Sequence, residues 1–236
     1  MVFKWIFDRA VSFIGLLFLW PVLLVVAILI KIKMPGGPAF FVQKRVGRGG
    51  KLFDCHKFRT MKPVKNNEGV NGKKGDKDWS TVSVAGDNRI TPFGATLRHY
   101  KLDELPGLWD VLRGKMSFVG PRPDVPGYAD KLEGDDRRVL ELRPGITGPA
   151  TLKYRLEDEM IADWVREVKC GKIKIDDLPD GLSDQELAVW YNDNVIYPDK
   201  VRINLYYLDH YSFWKDIQMI FCTVLGKHMK YNNEII

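Results

Sequence analysis

The sequence predicts a mainly helical α+β protein that sits on a membrane. It combines an N-terminal re-entrant helix–break–helix, a small cytosolic domain with short strands, and amphipathic interfacial helices. Three observations predict this. Residues Ala10 to Ile30 contain no charged side chain and carry a proline, Pro21, near their middle. Of the short apolar runs set off by glycine and proline, Ala39–Arg48 reads as a short strand or an interfacial turn and Lys51–Met61 as a half-buried strand. The stretch Ser212 to Leu225 places Phe213, Trp214, Ile217, Ile220, Phe221, Val224 and Leu225 on one helical stripe.

A helix of roughly 20 uncharged residues matches the hydrocarbon thickness of a bilayer, and a buried core helix is rarely apolar on every face. Lys31 to Pro35 offers no small-residue cleavage site, so the segment does not read as a cleaved signal peptide. Lys4 and Arg9 precede the run, and Lys31, Lys33, Lys44, Arg45 and Arg48 follow it. Positive charge on both flanks gives a single span no clear inside. Pro21 removes a backbone hydrogen bond at the centre. A hairpin that enters, breaks at Pro21 and returns satisfies both facts; a kinked full span satisfies only the second. The expected division is therefore a membrane-inserted hairpin at 1–35 and a cytosolic domain at 36–236 lying on the membrane surface.

Past the Gly36-Gly37-Pro38 breaker, the two short strands follow, and the basic Lys44-Arg45 pair suits a headgroup or phosphate. Residues 62–86 are polar, glycine-rich and nearly free of apolar side chains, and read as a mobile loop without assigned chemistry. Tyr128 to Leu142 reads as a charged surface helix. Residues 156–168 and 183–191 read as amphipathic helices, the second opened by the capping box Ser183-Asp184-Gln185-Glu186. The stripe at 212–225 suits core packing, or an interfacial helix beside a membrane segment.

With 236 residues the chain is long enough to bury a core, and its net charge of +6 implies anionic partners: nucleic acid, acidic lipid or phosphorylated substrates. Its three cysteines, Cys55, Cys170 and Cys222, are odd in number and far apart, which argues against a disulfide framework or a zinc site. No glycine-rich Walker loop is present.

The chemistry concentrates in Leu97 to Pro123. Asp103 and Glu104 open the apolar run Leu105, Leu108, Trp109, Val111, Leu112, and Asp103 is a good N-cap with Pro106 in the first turn. Unpaired N–H groups and the helix dipole would draw phosphates and hard cations there. The Gly120-Pro121-Arg122-Pro123 turn holds Arg122 on a stiff loop, and arginine grips phosphate with two parallel hydrogen bonds. A magnesium ion on one or both carboxylates would neutralise a diphosphate, with attack at phosphorus by a carboxylate, a water or an alcohol. A basic binding protein without catalysis explains the charge and the hairpin but not this stiff loop beside paired carboxylates.

Seven segments in one order carry a resemblance: the hydrophobic segment with Pro21, Gln43–Gly47, Lys57–Met61, Asn88–Gly94, Leu102–Pro106, Met116–Pro123 and Arg143–Gly148. The sequence resembles the bacterial sugar transferases, monotopic polyprenol-phosphate phosphoglycosyl transferases that start glycoconjugate assembly. The resemblance implies transfer of sugar-1-phosphate from a UDP-sugar to undecaprenyl phosphate with release of UMP, on the cytoplasmic face of the bacterial inner membrane. It implies Asp103 as nucleophile, forming a phosphosugar-aspartate intermediate, Glu104 as its partner, and Mg²⁺ bound by the pair. Arg122 and Arg98 would hold phosphate oxygens, with Lys57, Arg59 and Arg143 as further candidates. The implied partners are the two substrates and membrane lipid, not nucleic acid. Two departures stand out: Trp20-Pro21 replaces the family's Ser-Pro break, and Pro149-Ala150-Thr151 replaces its Trp-Ala-Gln pattern. A rival class, a membrane-tethered glycosyltransferase that moves sugar alone and releases UDP, usually brings a larger nucleotide-binding α/β domain.

Overall fold

A computed structural model describes residues 2–62, 89–173, 175, 178 and 181–236. The expected 62–86 loop therefore lies outside the described residues, apart from Lys62. Helix α1 (Val2–Lys33) is long and apolar enough to cross a membrane. It runs unbroken through Pro21, where the sequence predicted an interruption. A proline deletes only its own N–H bond, and the turns on either side keep theirs.

What α1 buries comes in two patches, Asp8 and Ser12 near its start and Val26 and Ile30 near its end. At the first patch Ser117 donates to Asp8 (2.6 Å), Ser12 donates to the Leu108 carbonyl, and Lys4 pairs with Asp216 (2.6 Å). At the second, Val26, Ile30 and Met34 pack with Ala39, Phe58 and Leu97. Leu17, Phe18, Trp20, Leu24 and Val25 lie exposed between them.

The two expected strands are present. β1 (Phe40–Val46) and β2 (Leu52–Phe58) form an antiparallel hairpin in which Phe40 faces Phe58 and Val46 faces Leu52. Thr91 caps α2 (Pro92–His99), accepting from the Gly94 N–H, with Pro92 in the first turn where its missing N–H is harmless. A 3-10 turn (Leu102–Glu104) leads into α3 (Gly107–Leu112). Next, β3 (Ser117–Val119) pairs in parallel with β4 (Gly145–Thr147). The crossover between them is not the charged helix expected across Tyr128–Leu142. It is two short 3-10 turns, Ala129–Lys131 and Asp136–Glu141, separated at Gly134, whose φ of 57° no helix accommodates.

The remainder is helical: α4 (Pro149–Lys153), α5 (Glu157–Lys169), α6 (Asp184–Tyr191), α7 (Tyr197–Asp209) and α8 (Phe213–Leu225). The Ser183–Glu186 capping box forms as its sequence implies. A π turn at Asn192–Ile196 joins α6 to α7. α5 and α6 share a small core of their own, built from Ile161, Trp164, Val165, Leu187 and Ala188. Tyr207 of α7 and Met219 of α8 join Val119, Leu142 and Leu152 in another, which the terminal hairpin β5–β6 (Lys230–Tyr231, Glu234–Ile235) closes with Tyr231 and Ile236.

Candidate active site

Three local structures converge. The end of β2 supplies Lys57, the 3-10 turn before α3 supplies Asp103 and Glu104, and the turn after β3 supplies Arg122. Lys101 enters the 3-10 turn at a φ of 55°, a left-handed conformation that a side chain with a Cβ seldom takes. That strained entry sends Asp103 inward, where it is buried. Asp103 does not cap a helix as its sequence position implies. It sits inside the 3-10 turn, and α3 starts only at Gly107, after Pro106.

Glu104 and Asp103 are adjacent yet differently provided for. One Glu104 oxygen, Oε1, accepts from Lys57 Nζ at 3.0 Å and from Arg122 Nη2 at 2.7 Å. Burial alone would raise its pKa, but Arg122 and Lys57 outweigh burial and hold it far below the usual carboxylate range. Glu104 in turn holds the Arg122 guanidinium well above its ordinary value. Burial lowers Lys57, against the pull of Glu104. Asp103 is shifted the other way: burial first, and then the Glu104 charge, push it up, only partly offset by Lys57 and Arg98. Its Oδ1 is buried without a hydrogen-bond partner.

The Arg122 turn is fastened on several sides. Gly120 N–H donates to the Thr147 carbonyl (2.9 Å) and Gly145 N–H to the Pro121 carbonyl (2.7 Å). A Cβ on Gly120 would run into the Arg143 carbonyl, so only glycine lets the two strands close this tightly. Arg45 donates to the Pro123 carbonyl (3.0 Å) and to Gln43 (2.7 Å). Below, His56 is fixed by Asp110, which accepts from its N–H at 2.9 Å and contacts its Nδ1 at 2.7 Å. Arg45, Cys55, His56, Lys57, Glu104 and Arg122 line one small pocket. Just beyond it Tyr197 donates to Asp124 (3.1 Å), whose pKa burial raises to about 6.

Of the predicted residues, the structure brings together Lys57, Asp103, Glu104 and Arg122, with Arg98 near enough to act on the Asp103 charge. Arg59 is elsewhere: it is buried and donates to the Met34 carbonyl at the end of α1. Arg143 lies over the Trp5 ring, 5.7 Å from its centre. Pro21 lies in the exposed middle of α1. Sequence reasoning missed Asp110 and Asp124 as holding groups, gave His56 no part in the pocket, and read Arg45 as a headgroup or phosphate contact rather than as a fastening of the Arg122 turn. Asp110 left one signal, a lone acid among Leu108, Trp109, Val111 and Leu112.

No group of three His, Cys, Asp or Glu residues is placed to hold a metal among the described residues. Magnesium is commonly bound by one or two carboxylates and completed by substrate phosphates and water. The unpartnered buried oxygen of Asp103, with Glu104 beside it, fits that donor set.

A family model described as bacterial sugar transferase matches residues 1–229. The chain is 32% identical over 238 residues to a UDP-glucose:undecaprenyl-phosphate glucose-1-phosphate transferase of Xanthomonas campestris pv. campestris, covering 98% of this chain and 40% of that protein. It is 37% identical over 162 residues to a putative undecaprenyl-phosphate N-acetylgalactosaminyl 1-phosphate transferase of Bacillus subtilis, covering 66% and 80% respectively. An undecaprenyl-phosphate galactose phosphotransferase of Salmonella typhimurium is 30% identical over 225 residues, covering 92% and 38%. The chain thus spans about two fifths of the length of two of these three relatives. Their names carry three different sugars.

Proposed function

The chain belongs to the bacterial sugar transferase family, and on that premise we propose that it is a phosphoglycosyl transferase. It moves sugar-1-phosphate from a UDP-sugar to undecaprenyl phosphate, releasing UMP, as the first membrane step of polysaccharide or glycoprotein glycan synthesis. The observation that carries this reading is the unequal carboxylate pair. Glu104 is committed to Lys57 and Arg122, while Asp103 beside it keeps a buried oxygen without a partner.

In this reading an Asp103 carboxylate oxygen attacks the sugar-bearing phosphorus of the donor. The bond from that phosphorus to the bridging oxygen breaks, and UMP leaves with the oxygen and its electron pair. A phosphate oxygen of undecaprenyl phosphate then attacks the same phosphorus, the acyl-phosphate bond breaks, and Asp103 is restored as a carboxylate. Arg122 and Lys57, pre-set by Glu104, meet the non-bridging phosphate oxygens, so little side-chain reorganisation accompanies the reaction. Arg98 offsets charge beside Asp103. Magnesium held by Asp103 and Glu104 would supply charge neutralisation of the diphosphate.

We place the chain on the cytoplasmic face of the bacterial inner membrane, with residues 1–35 as a re-entrant segment and 36–236 as the catalytic domain on the surface. Supporting this, both buried patches of α1 pack on the same globular domain, while its apolar middle is exposed. A straight span would carry one patch to the far side.

The test is incubation with a panel of UDP-sugars, Mg²⁺ and undecaprenyl phosphate, reading which nucleotide appears. UMP supports the proposal. UDP assigns a glycosyltransferase, and neither nucleotide from any sugar leaves a membrane-surface binding protein.

A further inference from the structure

Away from the carboxylate pair, α8 and the residues after it enclose an open groove of about 340 Å³. Phe221, Leu225 and Met229 give it an apolar floor, and Lys215, Lys227 and Lys230 stand around it. None of these lysines has an acidic partner among the described residues, whereas Lys153, Lys169 and Lys200 are all ion-paired. Three ammonium groups thus line one groove without a carboxylate to neutralise them, and an anion in the groove would be attracted by all three. Helix C-termini ordinarily disfavour anions. Here Arg155 donates to the Cys222 carbonyl (2.9 Å) in the last turn of α8, adding a further cation beside that end.

The groove opens onto an exposed apolar face. Trp214 is 76% exposed, Phe221 61%, Val224 76% and Leu225 60%. That face is continuous with the membrane helix, because Phe213 at the start of α8 packs edge-on against Phe3 (4.8 Å) and Phe7 (5.1 Å) of α1. A ligand here therefore meets hydrocarbon on one side and ammonium groups on the other.

We propose that this groove is a binding site for an anionic phospholipid, its phosphate held by Lys215, Lys227 and Lys230 and its acyl chains lying along Phe221 and Leu225. The combination selects an amphiphile over a soluble phosphate, since the floor would otherwise stay wet. It also selects a negative headgroup over a zwitterionic one, because a choline ammonium would return positive charge to the lysines. The proposal is independent of sugar-phosphate transfer and stands whether or not that reading holds.

The experiment uses the full chain in phosphatidylcholine vesicles with a trace of phosphatidylglycerol carrying a photoreactive acyl chain, with labelled peptides mapped by mass spectrometry. Labelling of the 214–230 region is expected, and it should fall roughly thirtyfold in a Lys227→Gln/Lys230→Gln variant, as loss of two surface cations implies. Labelling of α1 peptides in the same sample should not change, which separates loss of the site from loss of insertion or folding. Unlabelled phosphatidylglycerol should compete, and inorganic phosphate should not. Four results would overturn the proposal: equal labelling by a phosphatidylcholine probe, no effect of the double variant, better competition by undecaprenyl phosphate, or protection of the groove by a second copy of the chain.

Discussion

Arg122 donates to Glu104 across 2.7 Å, and the oxygen that accepts it also accepts from Lys57. Two cations on Oε1 commit that oxygen of Glu104 to arranging positive charge, while the buried Oδ1 of Asp103 remains open. The two neighbouring acids are therefore expected to fail differently when changed.

Asp103→Asn should abolish turnover while the protein stays folded and membrane-bound, because an amide cannot act as the anionic nucleophile. The buried Oδ1 has no hydrogen-bond partner to lose, so the fold gives up little. Nucleotide release and the melting temperature in detergent, measured on the same preparation, check both halves. Near-normal activity would remove Asp103 from the chemistry.

Replacing Arg122 by Lys keeps the charge and loses the planar fork, so kcat/KM should fall by about 10- to 100-fold, the worth of a charge-assisted hydrogen bond or two. Glu104→Gln should also be severe, because Lys57 and Arg122 lose the group that sets their positions. If Lys at position 122 restores the full rate, Arg122 contributes charge only.

These assignments show how far the sequence reaches. Strands β1 and β2 and helices α5, α6 and α8 were legible because their apolar residues recur with a period or a cap marks their start, whereas β3, β4 and the terminal hairpin are too short to show one. Helix α7 was not, since Pro198 falls where a pattern reader places a break, although in the first turn it costs nothing. Lys57 and Arg59 were both phosphate candidates through the family resemblance, and a strand continuing through both would have put them on one face. β2 ends at Phe58, so Arg59 turns away to the end of α1. Burial of Asp103 in a 3-10 turn depends on the left-handed Lys101, a conformation that no local residue preference signals. Asp110 and Asp124 take their roles from distant partners, His56 and Tyr197, whose proximity is tertiary.

Asp124 gives a pH dependence with a definite sign. Burial raises its pKa from the ordinary 3.8 to about 6, so the folded state holds this proton more tightly than the unfolded chain. Its share of stability is full only below pH 3.8 and is lost as pH rises through about 6. Asp124→Asn should remove that decline. One pKa unit is about 1.4 kcal/mol; discounted for partial exposure, the difference in Tm change between pH 4 and 6 should be about 3 °C. Thermal melts of both proteins at the two pH values decide it, and parallel curves would mean that Asp124 is already free to ionise.

The last prediction concerns topology. Asp8 and Ser12 fasten the start of α1 to Ser117 and Leu108, and Val26 and Ile30 fasten its end against Phe58 and Leu97. Both ends are therefore held by one domain, and the basic residues flanking them stay on its side. Each is worth roughly 1 kcal/mol beside anionic headgroups, and a full span would forfeit those on one flank. In the proposed re-entrant arrangement only the apolar middle around Pro21 meets the bilayer, and there the Leu17 carbonyl, freed by the missing proline N–H, needs a partner that hydrocarbon cannot offer. A single cysteine at position 2, with Cys55, Cys170 and Cys222 replaced, should resist an impermeant thiol reagent in intact cells and react once the cells are opened. Pro21→Ala, which restores the hydrogen bond to the Leu17 carbonyl and so lowers the cost of a full span, should move part of the population to labelling from outside. Labelling of the parent protein from outside would establish a full span, and the polar anchors at Asp8 and Ser12 would then have to be given up in the membrane-inserted state.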